Sequence, residues 1–149
     1  MRDHYKLTPT SKQCNIVWVS RKNTGRVFDE EQVLFDTVLK HVSDDSKVKF
    51  TMTLVDFASL SWEKQLKLAS TTTILIGPHG AGLTHTLFQP DNGVIIELLD
   101  SDTASNLHYS NLAKWSGRTY LSAHTDQGDI ENLSSYIADS ITYEINKQC

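Results

Sequence analysis

Cysteine is scarce in this chain. Only Cys14 and Cys149 occur among 149 residues, too few for a disulfide framework or a four-ligand zinc site. With three prolines and seven glycines, the composition excludes collagen-like, disordered and low-complexity chains. Long hydrophobic runs are also missing. The longest, Val94–Leu99, is interrupted by Glu97 and falls far short of the roughly 20 residues needed to cross a bilayer. No apolar signal segment follows Met1, so by its own sequence the chain is expected to be neither secreted nor membrane-inserted. Basic charge is not in excess either. Fourteen Lys and Arg against 18 Asp and Glu leave a net charge of -4 and a pI near 5.8, which argues against non-specific nucleic-acid binding. What is present, 39% hydrophobic and 21% charged residues, is the composition of one folded domain of ordinary size.

Strand-like and helix-like patterns alternate along the chain. Residues 15–19 (NIVWV) form a short apolar, β-branched run that ends at Ser20-Arg21-Lys22. Asp29 then reads as a helix N-cap with Gln32 at the third helical position, and Leu34, Phe35, Val38, Leu39 and Val42 follow at helical spacing. Residues 48–55 are a second strand. A second helix opens at Ser61, with Trp62, Leu66 and Ala69 on one face. Residues 72–76 (TTILI) are a third strand running into Gly77-Pro78-His79-Gly80-Ala81-Gly82-Leu83, after which a short helix reaches Phe88. Residues 94–98 make a fourth strand, and 106–115 a helix stopped at Gly117, a left-handed cap position. A fifth strand over 118–121 precedes a helix with Ile130, Leu133, Ile137, Ile141 and Ile145 on one stripe. Such interleaving predicts an α/β, doubly wound, mostly parallel Rossmann-like sheet over 15–149, behind a polar N-terminal segment over 1–14. Trp18, Trp62 and Trp115 read as core residues.

The chemistry should gather outside the carboxyl ends of the strands, where open parallel sheets bind ligands. Three of the seven glycines, Gly77, Gly80 and Gly82, lie between a buried strand and a helix start, a place suited to a phosphate or diphosphate. The same glycines also read as purely steric. The order of residues is neither that of a P-loop nor Gly-x-Gly-x-x-Gly. Ser20 and Arg21 follow the first strand at the same edge, Arg21 reading equally as a solvated surface arginine. Glu97 interrupts an apolar strand, so its carboxylate must be paired or must accept hydrogen bonds, from ribose hydroxyls for instance. His79 reads as a donor to a leaving phosphate, as a base, or as a histidine bracing its own loop. His108 and Tyr109 read as ligand contacts or as capping and packing residues. Asn132-Leu133-Ser134 is a formal glycosylation acceptor.

These residues together resemble glycosyltransferase family 61. The resemblance is carried by Ser20-Arg21-Lys22, by Arg26 and the acidic Asp29-Glu30-Glu31 start, by Asp56-Phe57-Ala58-Ser59-Leu60-Ser61-Trp62, and above all by Ile76 through His85 around His79-Gly80-Ala81-Gly82-Leu83. Glu97 and Asn111-Leu112-Ala113 extend it, so that it runs from about Ile16 to Leu121. It implies one half of a GT-B architecture, the C-terminal, donor-binding half. It implies inverting transfer of xylose, arabinose or N-acetylglucosamine from a UDP-sugar to a glycan or protein acceptor. Arg21 and the backbone of Gly80, Ala81, Gly82 and Leu83 would hold the uridine diphosphate, with Ser20 and Gly77 beside them, His79 near the diphosphate and Glu97 near the ribose. His79 is the catalytic candidate. No cofactor beyond the UDP-sugar co-substrate is implied, and no tightly bound metal. An acceptor-binding half of similar size would lie N-terminal to this one, and a full-length parent would work in the Golgi or endoplasmic reticulum lumen. The alternative is a non-catalytic nucleotide-sugar-binding module or pseudoenzyme.

Overall fold

Alternation along the strands decides the layering. The computed structural model describes residues 13–20, 30–125 and 129–149. In β1 (Cys14–Val19), Cys14, Ile16 and Trp18 face one side while Val17 and Val19 face the other, and all five are buried. The same holds in β3 (Ile74–Pro78), where Ile74, Leu75 and Ile76 are wholly buried, and in β4 (Val94–Leu99), buried throughout. A strand apolar on both faces needs a helical layer on each side, and the chain provides both. On one side α1 (Glu31–Asp45) and α4 (Ile130–Gln148) pack together against Ile16, Trp18, Ile74 and Ile96. On the other, α2 (Trp62–Ser70) and α3 (His108–Ser116) flank the Ala81–Phe88 segment over Val17, Val19, Leu75 and Ile95. Full burial of each such aliphatic side chain contributes about 1.5–3 kcal/mol.

Five strands, with β2 (Phe50–Val55) and β5 (Thr119–His124) at the edges, form one all-parallel sheet in the order β2-β1-β3-β4-β5. This is the doubly wound α/β arrangement that the sequence predicts. Local signals place several boundaries as read. The Ser61 hydroxyl accepts the N–H of Lys64 at 3.3 Å at the start of α2, and Gly117, at φ 74°, ends α3 in the left-handed region. Asp29, expected to cap α1, lies outside the described residues, and the helix begins at Glu31 after an uncapped Glu30.

Two expectations are corrected. The segment after the glycine loop does reach Phe88, but as consecutive 3-10 turns and not as an α-helix. Trp18 is core, packed edge-on to Phe35 with ring centroids 5.7 Å apart, whereas Trp62 and Trp115 are 61% and 79% exposed. In α2 the inward positions are Gln65, Leu68 and Ala69, and in α3 they are Tyr109, Leu112 and Ala113. Both tryptophans therefore fall off the buried stripe. The two cysteines, too few for a framework, are bonded to each other. The 19-residue α4 returns the chain to the end of the sheet where β1 starts, and Cys149 joins Cys14 there with Cα atoms 6.1 Å apart.

Candidate functional site

Between β1 and β3 the winding reverses, since β2 lies to one side and β4 and β5 to the other. That reversal opens a crevice at the carboxyl ends of these two strands. Val19, the last residue of β1, shapes it. A Cβ on Gly77 would stand 2.8 Å from Val19 Cβ, and one on Gly82 would stand 2.6 Å from Val19 Cγ1. Both glycines are therefore required by close approach to a single branched side chain. Gly80, at φ 161° and ψ 175°, is simply extended.

The glycine turn is fastened from beneath. The Gly80 carbonyl accepts the Leu83 N–H at 3.1 Å and also the Tyr109 hydroxyl from α3. In a planar trans peptide the N–H points opposite to the C=O, so the amide of exposed Ala81 is turned away from α3. Gly80, Ala81 and Gly82 stand before the first hydrogen bond of the turn, whereas the Leu83 amide is committed to Gly80 and its side chain is buried. The loop thus offers three amides at an exposed strand end, one fewer than the sequence expectation.

Behind the loop lies a buried charge network. Period two sends Glu97 to the same face of β4 as Ile95, beneath α3, where it is fully buried. One carboxylate oxygen is 2.6 Å from His79 Nδ1, and the other accepts the Tyr120 hydroxyl at 2.6 Å. A carboxylate at that depth needs such partners. With both oxygens so engaged, Glu97 acts on the crevice through His79, whose side chain is 20% exposed and packs edge-on to Tyr109. In this arrangement Nδ1 donates to the carboxylate, which fixes the ring's orientation.

Tyr120 carries the clearest electrostatic signature. Burial, then the hydrogen bond to Glu97 and its charge, hold the phenol well above its usual 10.0, and a bond with Ser122 opposes them slightly. The phenol keeps its proton in the native state after the unfolded chain has begun to release it. Stability is therefore complete below pH 10 and falls as pH climbs beyond it. Chemical denaturation at stepped alkaline pH should show this decline, and Tyr120→Phe should flatten it. An unchanged slope in that variant would remove Tyr120 as its source.

The remaining expected residues fall as follows. Ser20 is buried, its hydroxyl donating to Glu31 at 2.9 Å and its N–H to the Val55 carbonyl at 2.8 Å, so it ties the end of β1 to the first turn of α1. Arg21 and Arg26 lie outside the described residues. His108 packs on Tyr109. Sequence reasoning passed over Tyr120, which reaches Glu97 diagonally across the β4–β5 pair, and His85, held between Gly82 and Gln65 under the turn. A separate cavity of about 350 Å³, lined by Gln13, Thr71, Thr73 and Gly93 among others, lies at the opposite, amino-terminal end of the strands. Among the described residues no helix is long and apolar enough to cross a membrane.

Comparisons with known proteins give this geometry a context. Residues 1–96 match the family described as Glycosyltransferase 61. The EGF domain-specific O-linked N-acetylglucosamine transferase of Drosophila melanogaster is 32% identical over 113 residues, covering 75% of this chain and 20% of that protein. The β-1,2-xylosyltransferase of Arabidopsis thaliana is 32% identical over 107 residues, covering 69% of this chain and 20% of that protein. A Xenopus laevis EGF domain-specific O-linked N-acetylglucosamine transferase is 39% identical over 74 residues, covering 48% and 14%. The chain thus spans a fifth or less of the length of these relatives.

Proposed function

The chain belongs to glycosyltransferase family 61, and from that premise we propose that it forms the nucleotide-sugar-binding half of an inverting transferase. The donor is a UDP-sugar carrying xylose, arabinose or N-acetylglucosamine, and the acceptor a glycan or protein hydroxyl. That hydroxyl attacks the anomeric carbon as the bond to the diphosphate oxygen breaks. Its proton passes to a base outside this chain, in a companion acceptor-binding domain of GT-B type. The departing diphosphate gains charge, and this chain's part is to receive it. The amides of Gly80, Ala81 and Gly82, held in place by the turn, the Arg21 guanidinium and the His79 imidazole are groups of the right kind to meet that charge as it develops.

The observation that carries this reading is the Gly80 carbonyl drawn inward by Tyr109 and Leu83 at the β1/β3 reversal, which aims the next amide outward. Glu97, buried behind His79, serves in this reading to hold the imidazole in place through its Nδ1. The Cys14–Cys149 bond supports work in an oxidising lumen, the Golgi or endoplasmic reticulum, since such bonds persist there and are rare in the cytosol.

Calorimetric titration with UDP tests the proposal. Binding is expected, and Arg21→Ala should weaken it by about 1.5–3 kcal/mol, the worth of a charge-assisted hydrogen bond. Gly82→Asp, which drives a side chain into Val19 and brings a carboxylate beside the anion, should bind less tightly still. A folded chain with no affinity for UDP, or undiminished affinity in Gly82→Asp, would overturn the reading.

A further inference from the structure

We infer that His85 is an imidazolium held beneath the glycine turn, a positioning residue whose charge makes the turn favour an anion; this rests on reading Gly80–Gly82 as the diphosphate site. Hydrogen-bond donors and acceptors around the ring decide its charge. The side-chain amide of Gln65 donates twice, to the Phe57 carbonyl at 2.8 Å and to the Leu60 carbonyl at 3.0 Å, which fixes which end of the amide is nitrogen. Its oxygen therefore faces His85 Nε2, 2.9 Å away. On the other side of the ring, His85 Nδ1 lies 2.8 Å from the Gly82 carbonyl. Both partners are acceptors only, so each ring nitrogen must bring a hydrogen, and an imidazole with two is a cation. A neutral ring would set a bare lone pair against one of the two oxygens.

The surroundings suit a positive ring. His85 is buried and stacks on Phe57 with centroids 4.1 Å apart and planes 16° apart, with the Trp62 ring 6.3 Å away. The groups that meet it from Phe57–Ser59, from α2 and from its own turn are Phe57, Trp62, Gln65 and Gly82. The nearest titratable residues along those elements are Asp56, which caps the Phe57–Ser59 turn, and Glu63 and Lys64, both exposed on α2. The charge therefore sits directly behind Gly82, pulls its carbonyl inward, and adds to the positive field of the neighbouring amides.

Two measurements decide it. Nitrogen-15 spectra of the unliganded chain near neutral pH should give both His85 ring nitrogens in the protonated range; one bare nitrogen overturns the inference. His85→Asn keeps a donor toward Gly82 but has no charge. Its affinity for UDP and for inorganic pyrophosphate should drop roughly three- to tenfold, with thermal unfolding close to that of the parent. Undiminished affinity in this variant also overturns the inference, and if the variant fails to fold the spectrum alone decides. UDP binding together with a bare nitrogen rejects His85 while sparing the diphosphate site. Two protonated nitrogens without binding of either anion reject the site, and the role of His85 in it.

Discussion

Leucine in place of Glu97 is expected to lower folding stability by about 3 kcal/mol, and glutamine by much less. Leucine fills the volume but accepts nothing, so the Tyr120 hydroxyl and His79 Nδ1, each 2.6 Å from the lost oxygens, are left against an apolar group inside the domain. Such orphaned donors carry the full cost of desolvation, whereas the hydrogen bonds themselves contribute less. Glutamine keeps one acceptor for His79, and the Tyr120 hydroxyl can rotate to accept from its amide. Urea unfolding of the two variants separates these effects. Near-wild-type stability in Glu97→Leu would mean that the network is incidental. Glu97→Gln carries the functional question, because it leaves the shape and removes the charge behind His79. UDP affinity in that variant should drop by about tenfold, the effect of loosening one well-placed hydrogen-bonding ring beside a diphosphate. A folded Glu97→Gln chain with full affinity would detach the carboxylate from the site.

Losing the Cys14–Cys149 bond should have an effect of similar size. The bond closes a loop of 135 residues, and long loops restrain the unfolded chain most, giving about 2–4 kcal/mol in typical cases. For a domain of this size the melting temperature should then drop by roughly 4–16 °C. Melting curves with and without a thiol reductant measure it, and the double variant Cys14→Ser, Cys149→Ser should melt low in both conditions. A parent chain indifferent to reductant would show that the bond contributes nothing. Packing around Ile16, Ile137 and Ile145, all fully buried, should keep the reduced chain folded at moderate temperature.

Legibility in the sequence followed the range of each interaction. The strands with apolar residues on both faces, the stripe of α4, the Ser61 cap and the Gly117 stop are local signals, and each was placed within a few residues. Glu97 stood out because a carboxylate inside an apolar run demands partners. Which partners was invisible, since Tyr120 and His79 meet it only through strand order and register. Trp62 and Trp115 were misread because tryptophan's apolar bulk suggested burial, while the helices turn smaller residues inward. Gln65 shows the reverse, a polar side chain turned inward because two carbonyls and a histidine await it. The 3-10 character of Ala81–Phe88 and the meeting of the two cysteines depend on the assembled sheet, and no local pattern announces either.

The bond between Cys14 and Cys149 also changes what a cut would do. Residues 101–107, following β4, are largely exposed and are the kind of stretch that proteases find. A single scission there frees no fragment, because the piece bearing the glycine turn and the piece bearing α4 stay tethered as one molecule. In a compartment that holds digestive enzymes but lacks reductants, such a nicked molecule could keep its two halves in register and re-close around the break.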